Sequence, residues 1–186
     1  MKYYIIAGEA SGDLHGSNLM KGLYLQDPDA DIRFWGGDLM NAVFKTNQTG
    51  DGLVHHYKEG AVMGFTEVLA KAKKLLGNVS SCKSDILHWN PDVVILIDYP
   101  GFNFKIAEFA HNKGYKVFYY IAPKVWASRE GRIRKLREFV DKLIIVFPFE
   151  IPYFENKGID YIYKSKYYFQ KHFFICKHKN HCCKKR

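Results

Sequence analysis

Two segments of this sequence carry residue types whose placement could support chemistry. The first is VVILID (Val93 to Asp98), an apolar run that ends in a carboxylate and is followed by Tyr99, Pro100 and Gly101. In open parallel sheets ligands gather beyond the carboxyl ends of the strands. A carboxylate there can accept the proton of a substrate hydroxyl, which is the work of a general base. It can equally serve as a helix N-cap or a turn residue. The second segment is GEASGDLHG, with Gly8, Gly12 and Gly16 four residues apart after an apolar run. Glycine lets the backbone turn sharply and approach a ligand closely, and free amides at the start of the next helix favour an anion. The spacing is not that of a dinucleotide fingerprint. The plainer reading is a tight strand-to-helix turn with Gly16 packed on the sheet. Glu9 and Asp13 end the same run and could share a cleft with Asp98.

Other candidates are less specific. Arg129, Arg132, Arg134, Lys135 and Arg137 make a basic helix face that could hold phosphates or simply be solvated. Arg129 stands out because it directly follows the APKVWAS turn. His55 and His56 are adjacent, so they point to different sides, which is poor geometry for one metal. Cys176, His178, His181, Cys182 and Cys183 do not have the paired spacing of a zinc finger. No metal site is expected.

The elements that must position these groups alternate. Strands are expected at Lys2 to Ala7, Ile32 to Trp35, Leu53 to Tyr57, Val93 to Asp98, Lys116 to Ala122 and Leu143 to Phe147. Helices are expected at Leu14 to Gln26, with Leu19 and Leu23 inward, and at Asp38 to Phe44, capped by Asp38. Others are expected at Phe65 to Leu76, Ser80 to Trp89, Phe104 to Lys113 and Glu130 to Asp141, with a short one near Asn156. In Phe65 to Leu76 the apolar residues recur at helical spacing while Lys71, Lys73 and Lys74 lie off the stripe. That stripe is either core or an interfacial face with lysines reaching toward anionic headgroups. Strand and helix alternating throughout imply a parallel sheet covered on both faces. The fold class is therefore α/β, a Rossmann-like doubly wound sheet. The domain is expected to span residues 1–160, with 161–186 a basic tail rich in Cys, His and Lys.

The net charge of +9 invites a nucleic-acid reading. Its location argues against one. The eight Lys or Arg of residues 161–186, with no acid among them, leave only +1 for residues 1–160. A nearly neutral body gives no electrostatic footprint for a polyanion. No run of about 18 apolar residues is present, and the N-terminal apolar stretch is too short for a signal peptide. Cys82 is the lone body cysteine, which fits a reducing compartment.

In order along the chain come GEASGD, FWGGDLM, AVMGFTEVL, PDVVILIDYPGFN, VFYYIAPKVWA and the PFE of Pro148 to Glu150. Six ordered motifs over about residues 1–160 resemble the first half of the lipid-A-disaccharide synthases, two-domain nucleotide-sugar glycosyltransferases of the GT-B type. The resemblance implies transfer of 2,3-diacylglucosamine from UDP-2,3-diacylglucosamine to 2,3-diacylglucosamine 1-phosphate, with no metal and no cofactor. It implies work on the cytoplasmic, inner face of the inner membrane of a Gram-negative bacterium. Asp98 matches the family's strand-end aspartate and would be the base for the acceptor's 6-hydroxyl. Gly8, Glu9, Ser11, Gly12, Asp13 and Asn103 would line the cleft with Arg129. Val62, Met63, Phe65, Val68 and Leu69 would form a membrane-facing patch. The Ala122 to Ser128 segment departs from the family's usual serine-proline and Val-Trp-Ala-Trp pattern. From Tyr161 onward the match is expected to stop, as if the reading frame had shifted, leaving the chain inactive by itself. The alternative is a stand-alone lipid- or phosphosugar-binding domain without catalysis.

Overall fold

The apolar runs pair side by side in the computed structural model, which describes residues 1–60, 68–121 and 131–163. The strands are β1 (Lys2–Ala7), β2 (Asp31–Gly36), β3 (Leu53–His56), β4 (Val93–Ile97), β5 (Lys116–Tyr120), β6 (Lys142–Ile145) and β7 (Tyr161–Tyr163). They form one sheet in the order β3-β2-β1-β4-β5-β6-β7, and every neighbouring pair is parallel. β1 sits between β2 and β4, with Tyr3 in register with both Ile32 and Val93.

The helices are α1 (Ala10–Gln26), α2 (Asp38–Asn47), α3 (Val68–Trp89), α4 (Pro100–Asn112), α5 (Gly131–Phe139) and α6 (Glu150–Asn156). Successive strand side chains point to opposite faces, so each strand feeds two cores. Tyr3, Ile5, Ile95 and Ile97 pack with Leu19 and Leu23 of α1 and with Met40 and Phe44 of α2. Tyr4, Ile6, Val94 and Leu96 pack with Ile86 of α3, Ile106 of α4, Leu136 of α5 and Phe154 of α6. Burial on both faces explains why the central strands read as unbroken apolar runs. The chain winds from β1 to β3 on one side, then crosses back and winds from β4 to β7. The sheet is therefore doubly wound, with its switch point between β1 and β4.

Several elements differ from expectation. α1 begins at Ala10, four residues before Leu14, because Glu9 is still extended (φ −148°, ψ 164°) and the helix starts directly after it. Gly12 and Gly16 thus lie inside a helix. From Val68 onward the segments expected as two helices form one, α3, and the expected start at Phe65 lies outside the described residues. α4 starts at Pro100, where proline's fixed φ suits a first turn. α5 ends at Phe139, two residues short of the expected Asp141. Beyond Asp160, Tyr161–Tyr163 add a seventh strand on β6, so the sheet runs past the expected boundary at residue 160. Among the described residues no helix is long and apolar enough to cross a membrane.

One polar network ties β1, β2 and α3 together. Arg33 donates to Asp85 through Nε at 2.9 Å and Nη2 at 2.7 Å. Tyr4 donates to the same carboxylate at 2.7 Å, and Trp35 Nε1 donates to the Tyr4 hydroxyl at 2.9 Å. Burial alone would raise the Asp85 pKa, but the bonds from Arg33 and Tyr4 outweigh it and hold the group below its ordinary 3.8. A carboxylate depressed in the folded state stabilises above its unfolded pKa and loses that contribution as pH falls through the folded value. Asp85→Ala should therefore cost roughly 2 kcal/mol near neutral pH, since it strands a half-buried guanidinium. Urea denaturation at neutral pH and again well below the ordinary 3.8 should show that difference shrinking in acid. A loss of equal size at both pH values would mean that packing, not the ionised pair, is what the variant removes.

Candidate active site

Every strand of a parallel sheet delivers its last residue to the same edge. At the switch point that edge brings together Gly8 and Glu9 after β1 and Asp98 and Tyr99 after β4. The register is direct, with Ala7 opposite Ile97. The two segments singled out by their chemistry are therefore neighbours across one crevice, the place where open α/β sheets bind ligands.

The end of β4 is unusual backbone. Asp98 (φ 43°) and Tyr99 (φ 46°) both adopt left-handed conformations, which cost a residue other than glycine about 1–3 kcal/mol each. Surrounding bonds impose the turn. The Asp98 amide donates to the Tyr120 carbonyl at 3.1 Å. The Asp98 carbonyl accepts from the Tyr119 hydroxyl at 2.6 Å and from Asn103 Nδ2 at 2.8 Å. Asn103 Nδ2 also donates to the Ile97 carbonyl at 3.2 Å. Asn103 is fully buried, so its task is to hold the strand-end turn, a correction to its expected place along the cleft. A third left-handed residue, Ile121 (φ 63°), ends β5 on the same edge, and its amide donates to the Ile144 carbonyl at 3.0 Å.

The turn leaves Asp98 half-buried at the crevice, neither hidden nor fully solvated. Tyr119 lies beneath it. Burial pushes that hydroxyl well above its ordinary pKa, the charge of Asp98 pushes it further, and Arg132 opposes the rise. Tyr119 is thus a permanent donor. Tyr99 is also raised, by burial and then by the charge of Glu9. Glu9 and Ser11 are exposed at the start of α1. These carboxylates and hydroxyls suit hydroxyl-bearing substrates.

The glycine pattern has a packing cause. A Cβ on Gly8 would lie 2.3 Å from a Tyr99 ring carbon, one on Gly12 would lie 3.2 Å from the Ala7 Cβ, and one on Gly16 would lie 2.4 Å from the Met40 sulfur. Gly8 thus makes room for the tyrosine that follows Asp98. Gly16 lets α1 approach α2, where a packing contact with the sheet was expected. Beside Gly8 is a cavity of about 40 Å³, walled by Trp35, His55, Tyr57, Tyr99 and Phe102 among others.

Asp13 also departs from expectation. Its side chain is buried, and its carboxylate accepts the amides of Gly37 at 2.8 Å, Leu39 at 3.0 Å and Met40 at 3.0 Å. It caps α2 from another helix. Asp38 is the first residue of α2, not its cap, and its carboxylate faces Lys58 and His56 instead. His55 and His56 do part to opposite sides, the first against Trp35 and the second against Tyr57. Among the described residues no group of three His, Cys, Asp or Glu could hold a metal. Arg129, Val62, Met63 and Phe65 lie outside the described residues, and Val68 and Leu69 are placed only as the start of α3.

Asp13→Ala should cost about 2 kcal/mol or more, because three amides, two of them in buried bonds, lose their acceptor at once. Thermal or urea unfolding measures this, and a near-neutral effect would show that the capping bonds are dispensable.

Comparison with known proteins bears on the family and the fold. Residues 3–164 match the family model for lipid-A-disaccharide synthetase. The lipid-A-disaccharide synthase of Geobacter metallireducens is 44% identical over 155 residues, which cover 83% of this chain and 39% of that protein. The one from Syntrophus aciditrophicus is 42% identical over 156 residues, covering 84% and 39%. The chain thus spans about two fifths of the length of these relatives. Among solved structures it resembles the UDP-GlcNAc 2-epimerase of Neisseria meningitidis, solved bound to UDP-GlcNAc, with a TM-score of 0.59 at 10% identity over 86% of this chain and 44% of that one. MurG of Acinetobacter baumannii gives 0.51 at 15% identity, over 79% and 41%. Identities this low speak for the fold alone. The family match is different in kind, because it takes in both strand ends of the crevice and nearly the whole sheet: this chain belongs to the lipid-A-disaccharide synthetase family.

Proposed function

We propose that this chain is the acceptor-side part of a lipid-A-disaccharide synthase. Its reaction joins the 2,3-diacylglucosamine of UDP-2,3-diacylglucosamine to 2,3-diacylglucosamine 1-phosphate and releases UDP. The single observation that supports this most is the meeting of Gly8–Glu9 and Asp98–Tyr99 at the switch point. In the proposed mechanism the Asp98 carboxylate takes the proton from the acceptor's 6-hydroxyl as that oxygen attacks the donor's anomeric carbon. The bond to the diphosphate breaks, and UDP leaves with the bonding pair. The strained turn fixes the carboxylate, Asn103 and Tyr119 fix the turn, and Glu9 and Ser11 contact the sugar from the other wall.

The donor contacts belong mainly to the part of the relatives that lies beyond this chain. Holding both reactants in line can supply roughly 7–11 kcal/mol of the barrier, whereas a general base supplies only about 10²–10⁴-fold. The 186-residue chain should therefore make no detectable disaccharide from both lipid substrates. Adding the remainder of a relative in trans should restore UDP release, and Asp98→Ala should abolish it while leaving acceptor binding largely intact. Robust synthesis by the chain alone, or full activity of Asp98→Ala with the partner piece, would overturn the assignment of roles.

The substrates are lipids, so the proposal places the protein at the cytoplasmic face of the inner membrane. Val62, Met63, Phe65, Val68 and Leu69 are its proposed contact, beside Lys71, Lys73 and Lys74. Each basic residue near an anionic surface contributes about 1 kcal/mol. Sedimentation with anionic vesicles should show binding that weakens with salt and weakens further in Phe65→Ser with Leu69→Ser. Unchanged binding in that variant would assign the attraction to the basic C-terminal residues instead.

A further inference from the structure

We propose that Arg132 is the phosphate anchor of the Asp98 site, holding a phosphate ester of one of the two lipid-sugar substrates. The inference rests on the reading of the crevice given above and adds a residue to it.

The argument begins with helix direction. A helix that follows a parallel strand starts at the sheet's carboxyl edge and runs back. α5 follows β5, so its first turn, Gly131 to Arg134, sits at the edge that carries Asp98. Ile133 and Leu136 are buried against the sheet and fix the helix's rotation. Arg132 precedes Ile133 and is half-buried.

Its neighbours on the same helix are engaged. Arg134 pairs with Glu138 at 3.5 Å and Lys135 with Glu108 at 3.8 Å. Arg137 donates to the Lys157 carbonyl. Arg132 has no carboxylate and no hydrogen-bond acceptor among the described residues. Its charge is nonetheless felt at the buried Tyr119 hydroxyl, where it opposes that of Asp98. That hydroxyl is bonded to the Asp98 carbonyl at 2.6 Å, at the same sheet edge where α5 begins.

A guanidinium kept partly out of water and unpaired is suited to an incoming anion. Its planar fork matches the oxygens of a phosphate in a two-point contact that an ammonium cannot reproduce. Two sources of such an anion meet the site: the 1-phosphate of the acceptor and the diphosphate of the donor. Either would be held at a fixed offset from the carboxylate that takes the proton.

Binding to the 186-residue chain separates the possibilities without needing turnover. The ligands are 2,3-diacylglucosamine 1-phosphate and UDP, with 2,3-diacylglucosamine and uridine as their phosphate-free counterparts. Titration calorimetry or intrinsic fluorescence supplies the affinities. Arg132→Ala should weaken binding of one phosphorylated ligand by about 10- to 100-fold and leave its phosphate-free counterpart unchanged. Arg132→Lys should recover part of the loss, and Arg134→Ala should have no effect. Which ligand responds tells which phosphate is held. If the unsubstituted chain binds a phosphorylated ligand and Arg132→Ala binds it equally well, the anchor is wrong and the crevice reading stands. If Arg132→Ala weakens ligand and counterpart alike, the residue is structural and the anchor is again wrong. If the unsubstituted chain binds none of the four, the crevice reading fails and the anchor with it.

Discussion

The left-handed turn at Asp98 and Tyr99 is the constraint around which the crevice is built. Two residues with side chains are held where glycine is normally found, and a parallel strand end does not do that unaided. Four hydrogen bonds from β5 and α4 converge on Ile97 and Asp98. Their combined worth, at about 1 kcal/mol each, is of the same size as the strain they oppose. The turn can therefore persist only while β5 and α4 stay in place, and the carboxylate inherits the rigidity of both.

The same turn explains features that look unrelated. Because Tyr99 is left-handed, its ring swings onto β1 and demands a residue without a Cβ at position 8. The ring stacks with Phe102 at 5.5 Å, and Phe102 meets Trp35 at 5.4 Å. Trp35 then bonds to Tyr4, and Tyr4 to the Arg33–Asp85 pair. A contiguous path of aromatic contacts and hydrogen bonds thus runs from the site to α3. On the other face, Asp13 fastens α2 to α1, and Gly16 lets the two helices close up. The GEASGD segment is in this sense mostly architecture, and it leaves Glu9 and Ser11 to face the solvent side of the crevice.

The electrostatics follow from the layers. Groups under the sheet edge lose water, so Tyr119 and Tyr120 are pushed up and remain donors. Groups at the edge, Glu9, Asp98 and Arg132, keep part of their surface open to water. The proposed pairing of a carboxylate with a guanidinium at this edge would suit a reaction that moves a proton one way and negative charge the other.

How much of this could be read from residue order alone depends on the range of the interaction. Strand and helix alternation, the buried β4 run and the place of Asp98 at a strand end follow from local patterns, because apolar periodicity and a strand-ending carboxylate are local signals. The family resemblance was equally legible, since six motifs in fixed order survive without any geometry. Helix starts were misplaced where the cause was tertiary. α1 opens at Ala10 because Gly12 and Gly16 find Ala7 and Met40 to pack on, and a helix reader penalises glycine without knowing its neighbours. Asp13 and Asn103 looked like cleft residues because polar side chains near a site usually are. Only the folded chain shows that the Asp13 carboxylate and the Asn103 amide nitrogen are engaged by backbone groups of neighbouring elements. β7 lay beyond the expected boundary because a three-residue strand has almost no periodicity of its own and exists through its pairing with β6. The sequence by itself determined the two-faced parallel sheet and which strand ends carry reactive groups, since both follow from the apolar pattern along the chain. The tertiary structure alone decided which of those groups face the crevice and which, like Asp13 and Asn103, are spent holding it together, because a hydrogen bond's partner is set by proximity in space.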